Sequence, residues 1–218
     1  MSLIVKICGI TRLEDALEAA ALGADALGFM FYERSSRRIS VVDAESICRQ
    51  LPKRVSRVGV FVDATRETIE AAIARCGLDF VQLHGSESPE FCASIKGALV
   101  IKAFRMADET SLDALGRYQT SFWLLDSHVP GAQGGTGITF NWELARKARA
   151  LNTPFLLAGG LTPQNVGDAV KWLRPAGVDV SSGVESAPGK KDGMKMKSFI
   201  ESVRTAAIEV DQEGLAKV

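Results

Sequence analysis

Two residues of this sequence, a cysteine and an aspartate, stand at the ends of short apolar runs, where reactive side chains are expected. Cys8 closes the run Lys6-Ile7-Cys8 and is followed at once by the turn Gly9-Ile10-Thr11. Asp126 closes the run Leu124-Leu125-Asp126 much later in the chain. If the thiol and the carboxyl face each other across a pocket, the protein has a base and an acid for proton transfer.

Eight apolar runs alternate with eight amphipathic segments, and this pattern predicts parallel strands connected by helices. The runs are almost continuously apolar, as expected of strands that are covered on both faces. The predicted strands are Leu3–Cys8, Ala26–Phe31, Val55–Val62, Phe80–His84, Leu99–Phe104, Phe122–Asp126, Phe155–Ala158 and Val178–Ser181. The predicted helices are Leu13–Leu22, Asp43–Gln50, Arg66–Cys76, Pro89–Lys96, Glu109–Tyr118, Trp142–Ala150, Pro163–Leu173 and Met194–Ala207.

This repeat predicts an α/β protein with a single closed (β/α)8 TIM barrel, because β-α units of roughly 25 residues recur eight times. The alternative is an open doubly wound sheet, which usually has fewer strands and a Gly-x-Gly-x-x-Gly turn after the first one. Here that turn reads Cys8-Gly9-Ile10-Thr11. We assign the barrel to residues 1–208 and a polar, frayed tail to residues 209–218.

Local signals predict where several helices begin and end. Thr11 stands three residues before Glu14, which is the spacing of a capping box, and Gly23 follows the first helix. Thr162 precedes Pro163, which predicts a capping threonine and a first-turn proline for the seventh helix. These signals agree with the helix boundaries that the apolar periodicity predicts.

Composition excludes several classes of protein. The 26 basic and 26 acidic residues cancel, so bulk electrostatic attraction to nucleic acid or to an anionic membrane is not expected. No apolar run reaches the length of about 20 residues that spans a bilayer. The four cysteines form no C-x-x-C pair, so metal and disulfide sites are not expected. Reduced thiols and the lack of a signal peptide predict a cytoplasmic protein.

Clusters of glycine, serine and threonine follow three neighbouring strands and predict a phosphate site. In a barrel the loops after strands 7 and 8 often bind phosphate through backbone N–H groups. The candidate residues are Gly135, Thr136 and Gly137 after the sixth strand, Gly159 and Gly160 after the seventh, and Asp179, Ser181, Ser182 and Gly183 on and after the eighth. The alternative is that these glycines serve only tight turns.

Two further side chains belong to the predicted active face. Arg37 lies in the basic loop after the second strand, and a guanidinium can bind a carboxylate by two parallel hydrogen bonds. A solvated charge cluster is the alternative for Arg37. His84 ends the fourth strand, where packing, a loop hydrogen bond and substrate contact all remain open.

Eight motifs, in order, resemble the phosphoribosylanthranilate isomerase family over nearly the whole chain. They are Lys6-Ile7-Cys8-Gly9-Ile10-Thr11, Gly28-Phe29-Met30-Phe31-Tyr32 with Ser35-Ser36-Arg37-Arg38-Ile39-Ser40, Val58-Gly59-Val60-Phe61-Val62, Val81-Gln82-Leu83-His84-Gly85, Leu124-Leu125-Asp126, Gly134-Gly135-Thr136-Gly137 with Phe140-Asn141-Trp142, Ala158-Gly159-Gly160-Leu161 and Asp179-Val180-Ser181-Ser182-Gly183-Val184-Glu185.

The resemblance implies an Amadori rearrangement of N-(5-phospho-β-D-ribosyl)anthranilate to 1-(2-carboxyphenylamino)-1-deoxy-D-ribulose 5-phosphate in tryptophan biosynthesis. It implies that Cys8 is the general base, Asp126 the general acid and Arg37 the partner of the anthranilate carboxylate. No cofactor or metal is expected, because a protonated imine acts as the electron sink. The base must react as a thiolate, so we expect turn amides, the first helix, or Lys6, if it points into the barrel, to stabilise that anion.

Other interpretations remain open at this level. Another phosphosugar barrel enzyme would be expected to have either a catalytic lysine and glutamate at strand ends or metal-binding histidines. A non-catalytic barrel that binds phosphorylated metabolites is the alternative from a different class, and the presence of both Cys8 and Asp126 argues against it. A monomer and a homodimer are both compatible with this barrel.

Overall fold

The computed structural model describes residues 3–106, 109–126, 142–151 and 153–215. Eight parallel strands pair in chain order, and the eighth pairs with the first. The predicted closed (β/α)8 barrel is therefore confirmed. The strands are β1 (Ile4–Cys8), β2 (Ala26–Met30), β3 (Ser56–Phe61), β4 (Phe80–Leu83), β5 (Leu99–Arg105), β6 (Phe122–Asp126), β7 (Phe155–Ala158) and β8 (Gly177–Val180).

Helices follow each of these strands and cover the barrel from outside. They are α1 (Leu13–Leu22), α2 (Val41–Cys48), α3 (Arg66–Cys76), α4 (Pro89–Ser94), α5 (Thr110–Leu115), α6 (Trp142–Arg149), α7 (Val166–Leu173) and α8 (Gly193–Leu215). Between β8 and α8 lie a 3₁₀ turn (Ser182–Val184) and an antiparallel pair of short strands, β9 (Glu185–Ala187) and β10 (Lys190–Lys191). The sequence analysis did not predict this small hairpin.

The side chains of each strand alternate between the barrel interior and the helix layer. A small apolar cluster fills the interior, while a larger one, which includes Val5 and Ile7 of β1, packs between strands and helices. Lys6 and Cys8 therefore share the inner side of β1. The interior cluster consists of Ala26, Val58, Ile101, Ala103, Leu124, Leu156 and Ala158.

The capping predictions for α1 hold at one end only. Gly23 ends this helix with a φ of 100°, a conformation that glycine adopts without steric cost. The predicted capping box is wrong, because Arg12 occupies the N-cap position and makes no side-chain cap. The Thr11 hydroxyl instead donates to the Gly189 carbonyl oxygen at 2.5 Å, so it holds the β9–β10 hairpin against the start of α1.

The prediction for the start of α7 is also wrong. This helix begins at Val166, with Asn165 at its N-cap position. The Asn165 side-chain oxygen accepts a hydrogen bond from the Thr162 backbone N–H at 2.8 Å. Residues 163–165 therefore form a turn that leads into the helix.

The last helix is longer than the sequence pattern indicates. α8 continues to Leu215, so the predicted helix end at Ala207 is wrong and the helix extends into the predicted tail. It packs on α7 and α1, and Arg204 donates to Asp25 at 2.7 Å. Within the described residues, no helix has both the length and the apolar character needed to cross a membrane.

Candidate functional site

A cavity of about 300 Å³ opens at the carboxyl ends of the strands, the end of the barrel at which the sequence predicts chemistry. A larger apolar groove of about 790 Å³ lies at the opposite end and contains none of the predicted site residues. The cavity is the better candidate, because it brings together predicted residues from six parts of the chain. They are Cys8, Arg37, His84, Asp126, Gly159, Gly160, Asp179, Ser181, Ser182 and Gly183.

Cys8 ends β1 on the inner side of the barrel, where its side chain is 5% exposed. Burial raises the pKa of its thiol, because a buried thiolate loses its hydration. The positive charge of the Lys6 ammonium lowers the pKa but does not offset burial completely. In this ligand-free site the thiol therefore titrates above its ordinary pKa, and the expected stabilisation of the thiolate is only partial.

Lys6 lies directly beneath Cys8 and is completely buried. Its Nζ donates to Oδ1 of Asp179 at 2.7 Å, across the strand pair that closes the barrel. Burial disfavours the ammonium, but the charges of Asp179 and Cys8 outweigh burial, so the pKa of Lys6 is raised. Lys6 thus remains charged inside the barrel, where it is paired with Asp179.

Asp126 ends β6 with a partly exposed side chain at the cavity. Its Oδ2 lies 3.4 Å from Nε2 of His84. The other nitrogen of that ring, Nδ1, lies 3.0 Å from Nε2 of Gln82. If this amide nitrogen donates, Nδ1 is the acceptor and Nε2 bears the proton that faces Asp126. His84 therefore contacts the predicted acid and contributes to the cavity wall.

Arg37 reaches over the cavity from the loop between β2 and α2. Its Nε and Nη2 donate to the two carboxylate oxygens of Glu185 at 2.8 and 2.6 Å. This bidentate pair raises the pKa of Arg37 and keeps the guanidinium oriented. Glu185 also accepts from the buried Lys191 at 2.9 Å. A Cβ at Gly9 would lie 2.7 Å from the Arg37 Cδ, so this glycine leaves room for the arginine.

Burial also affects the pKa values of Glu185 and Lys191. It disfavours the carboxylate of Glu185, but hydrogen bonds from Arg37 and Lys191 outweigh this effect and lower its pKa. It also lowers the pKa of Lys191, which Glu185 offsets in part. Glu185 therefore links the two cations in one charge cluster, in which Glu185 and Lys191 are buried.

The loops after β7 and β8 meet at the other side of the cavity. Gly159 and Gly160 have positive φ values of 87° and 64°, which glycine adopts without strain. A Cβ at Gly183 would lie 1.9 Å from the Leu161 carbonyl oxygen, so the two loops approach more closely than a larger residue allows. The buried Ser181 hydroxyl has no hydrogen-bond partner among the described residues.

Three of the predicted site residues, Gly135, Thr136 and Gly137, lie outside the described residues. Gln82, Glu185 and Lys191 were missed as site residues. A charged or amide residue inside an apolar strand signals Gln82, but nothing in the sequence separates Lys191 from an ordinary surface lysine. Within the described part of the chain, no group of three His, Cys, Asp or Glu side chains is arranged to hold a metal ion.

Comparison with known proteins gives one consistent family. Residues 5–202 match the sequence model of the family described as N-(5'-phosphoribosyl)anthranilate (PRA) isomerase. An N-(5'-phosphoribosyl)anthranilate isomerase of Pelobacter propionicus is 54% identical over 196 residues, which cover 90% of this chain and 93% of that protein.

Solved structures agree. The phosphoribosyl anthranilate isomerase of Thermotoga maritima superposes with a TM-score of 0.89 at 46% identity and covers 93% of this chain and 99% of its own. A phosphoribosyl anthranilate isomerase in complex with reduced 1-(o-carboxyphenylamino)-1-deoxyribulose 5-phosphate gives a TM-score of 0.85 at 44% identity, with the same two coverages.

Proposed function

Because this chain belongs to the N-(5'-phosphoribosyl)anthranilate isomerase family, we propose that it performs the family's Amadori rearrangement in the cavity described above. The protein is an isomerase of tryptophan biosynthesis that interconverts an aldose and a ketose form. The substrate is N-(5-phospho-β-D-ribosyl)anthranilate and the product 1-(2-carboxyphenylamino)-1-deoxy-D-ribulose 5-phosphate. One observation carries the proposal: Cys8 and Asp126, from strands on different sides of the barrel, line the same cavity.

Asp126 acts first, as the general acid. Its carboxyl protonates the ribose ring oxygen while the bond between that oxygen and C1′ breaks, and the open chain becomes a protonated imine. A carboxyl needs a raised pKa to hold this proton near neutral pH, and an enclosed site next to an anionic substrate favours that state. The position of Asp126 in the wall of the cavity supports the role, because a bound substrate can reach its carboxyl.

Cys8 then acts as the general base. The positive imine makes the proton on C2′ acidic, and the thiolate removes it to give an enolamine. The enolamine gains a proton at C1′ and loses its hydroxyl proton, which leaves the ketone and conserves all atoms of the substrate. The imine accepts the electron pair throughout, so this chemistry requires neither a metal nor a cofactor.

Arg37 and the glycine loops hold the two anionic ends of the substrate. Nε and one Nη2 hydrogen of Arg37 are used by Glu185, which leaves the Nη1 side of the guanidinium for the anthranilate carboxylate. Backbone N–H groups of Gly159, Gly160 and Gly183 suit the phosphate, together with the hydroxyls of Ser181 and Ser182. Gly135, Thr136 and Gly137, which lie outside the described residues, are assigned to the same phosphate from the sequence alone. His84 and Asp179 are assigned to the sugar between the two ends.

The proposal assigns the catalytic domain to residues 1–208 and leaves residues 209–218 as a C-terminal tail, which continues α8 as far as Leu215. All the groups with a role in the reaction belong to the barrel and its loops. The family match, which ends at residue 202, supports this assignment.

Turnover of freshly generated phosphoribosylanthranilate, followed by the loss of its fluorescence, tests the function. Cys8→Ala is expected to lower kcat by roughly 10²–10⁴, the range for a general base. Cys48→Ala is a matched control, because it removes a buried sulfur from α2, far from the cavity, and is expected to retain turnover. Folded wild-type protein without activity would refute the assigned reaction, and near-normal turnover by Cys8→Ala would remove the base.

A further inference from the structure

Lys6 is an unusual side chain for a barrel interior. It is fully buried, and an unpaired ammonium in such a place is strongly disfavoured. Its Nζ donates to Asp179, its register partner on β8, and its charge acts on the Cys8 thiol two residues along the same strand. The ammonium therefore interacts with both a carboxylate and the proposed base.

The neighbouring strand leaves space for this contact. Gly28 of β2 is the register partner of Cys8. A Cβ at Gly28 would lie 2.8 Å from the Cys8 sulfur and 3.1 Å from Nζ of Lys6. The Cys8 sulfur and the Lys6 ammonium therefore both lie next to the space that a side chain at position 28 would fill. Because glycine has no side chain, it leaves this space to them.

Four charged groups act on Cys8 from the elements packed around it. Lys6 comes from its own strand, Asp179 from β8, Lys191 from β10, and Arg37 from the loop before α2. Lys191 and Arg37 are both bound to Glu185, which offsets their charge. Of the two ammonium groups, Lys6 has the larger effect on the pKa of Cys8, and it exceeds the opposing effect of Asp179.

We propose that Lys6 is a positioning residue that stabilises the thiolate form of Cys8, and that Asp179 anchors Lys6 while opposing its charge. This inference rests on the proposed function in one respect: the thiolate matters for catalysis only if Cys8 is the general base. The ionisation itself is a property of the ligand-free protein and is measured without turnover.

The experiment is a pH titration of Cys8 alkylation by iodoacetamide in the full-length protein. Mass spectrometry of the Cys8 peptide separates this thiol from Cys48, Cys76 and Cys92, which are also buried. The alkaline plateau of the rate reports access to the cavity, and the midpoint of the titration reports the pKa of Cys8. Access and ionisation are therefore separated within each variant.

Three variants are expected to shift the titration midpoint of Cys8 in a definite order. Lys6→Met raises the midpoint by about one unit or more, which slows alkylation at pH 7 roughly tenfold relative to the plateau. Asp179→Asn lowers the midpoint, because it removes the opposing charge. The double variant Lys6→Met/Asp179→Asn lies above wild type, because the lost attraction exceeds the lost repulsion.

Lys102→Met is the matched control. Lys102 is also a buried strand lysine paired with a carboxylate, Glu87, but it lies on the helix side of β5, so the wild-type midpoint is expected. A midpoint unchanged in both Lys6→Met and the double variant would overturn the inference. Circular dichroism establishes that each variant is folded. If Lys6→Met alone is unstable, the double variant still tests the role of Lys6, because Asp179→Asn removes the buried carboxylate that would otherwise be unpaired.

The alkylation titration and the turnover assay of Cys8→Ala test different claims, so either one can fail without the other. A shifted midpoint together with an active Cys8→Ala variant would support the ionisation network and refute Cys8 as the base. An unshifted midpoint together with an inactive Cys8→Ala variant would retain the base and overturn the role of Lys6.

Discussion

The close approach of the loops after β7 and β8 makes Gly183→Ala an informative substitution. The new Cβ would lie 1.9 Å from the Leu161 carbonyl oxygen and 3.2 Å from Cγ2 of Val180. Real Cβ atoms essentially never approach other atoms within 3.0 Å. The loops must therefore part by about 1 Å, and a misplacement of that size costs roughly 10²-fold in the rate of a positioned reaction.

We expect this loss to appear mainly in KM, because the proposed function assigns these loops to phosphate binding and gives them no part in proton transfer. Steady-state turnover gives kcat and KM, and competitive inhibition by inorganic phosphate reports the phosphate site alone. Both KM and the inhibition constant are expected to rise. Thermal unfolding establishes that the variant is folded at the assay temperature.

Gly116→Ala is the control for adding a methyl group at a glycine. A Cβ at this position would meet no atom within 4 Å, and Gly116 has an ordinary helical φ of −63°. Its kinetic constants are expected to match wild type. If folded Gly183→Ala also kept the wild-type KM and phosphate inhibition, the assignment of these loops to the phosphate would be refuted.

Three further substitutions test separate parts of the molecule. Asp126→Asn is expected to lower kcat by roughly 10²–10⁴, because an amide cannot deliver the proton; wild-type turnover would eliminate Asp126 as the acid. Arg37→Ala is expected to lower kcat/KM for the substrate more than for an analogue without the anthranilate carboxylate, and equal losses would contradict the contact. Lys102→Met leaves the carboxylate of Glu87 buried without its partner and is expected to reduce the free energy of unfolding by about 3–5 kcal/mol. Urea denaturation measures this loss, which Lys102→Met/Glu87→Gln should partly restore; an equal loss in both variants would contradict the pairing.

Much of the fold follows from patterns that are local in the sequence. Mainly apolar runs of four to eight residues, separated by amphipathic segments, predict the eight strands, and their spacing predicts the barrel that the structure confirms. The glycine after α1 was also predicted correctly. These features depend on neighbouring residues alone, since periodicity and backbone conformation act over a few positions.

The capping predictions show where local patterns stop being sufficient. Thr11 has the sequence spacing of a capping box, yet its hydroxyl binds the backbone at Gly189. In a capping box the hydroxyl oxygen accepts a hydrogen bond from a backbone N–H of the first helical turn, whereas the Thr11 hydroxyl donates to a carbonyl oxygen 178 positions away. Sequence spacing cannot rank a local partner against one that only folding brings near.

The strand order, the strand ends that face the cavity and the residue types at those ends all follow from the sequence alone. Which of these residues are in contact depends on how the barrel folds. Lys6 and Asp179 are 173 positions apart, and Arg37 and Glu185 are 148 positions apart. Their contacts exist because β8 closes on β1, and closure fixes the distances and burial that give each charge its strength. Those quantities belong to the folded barrel and have no counterpart in local sequence.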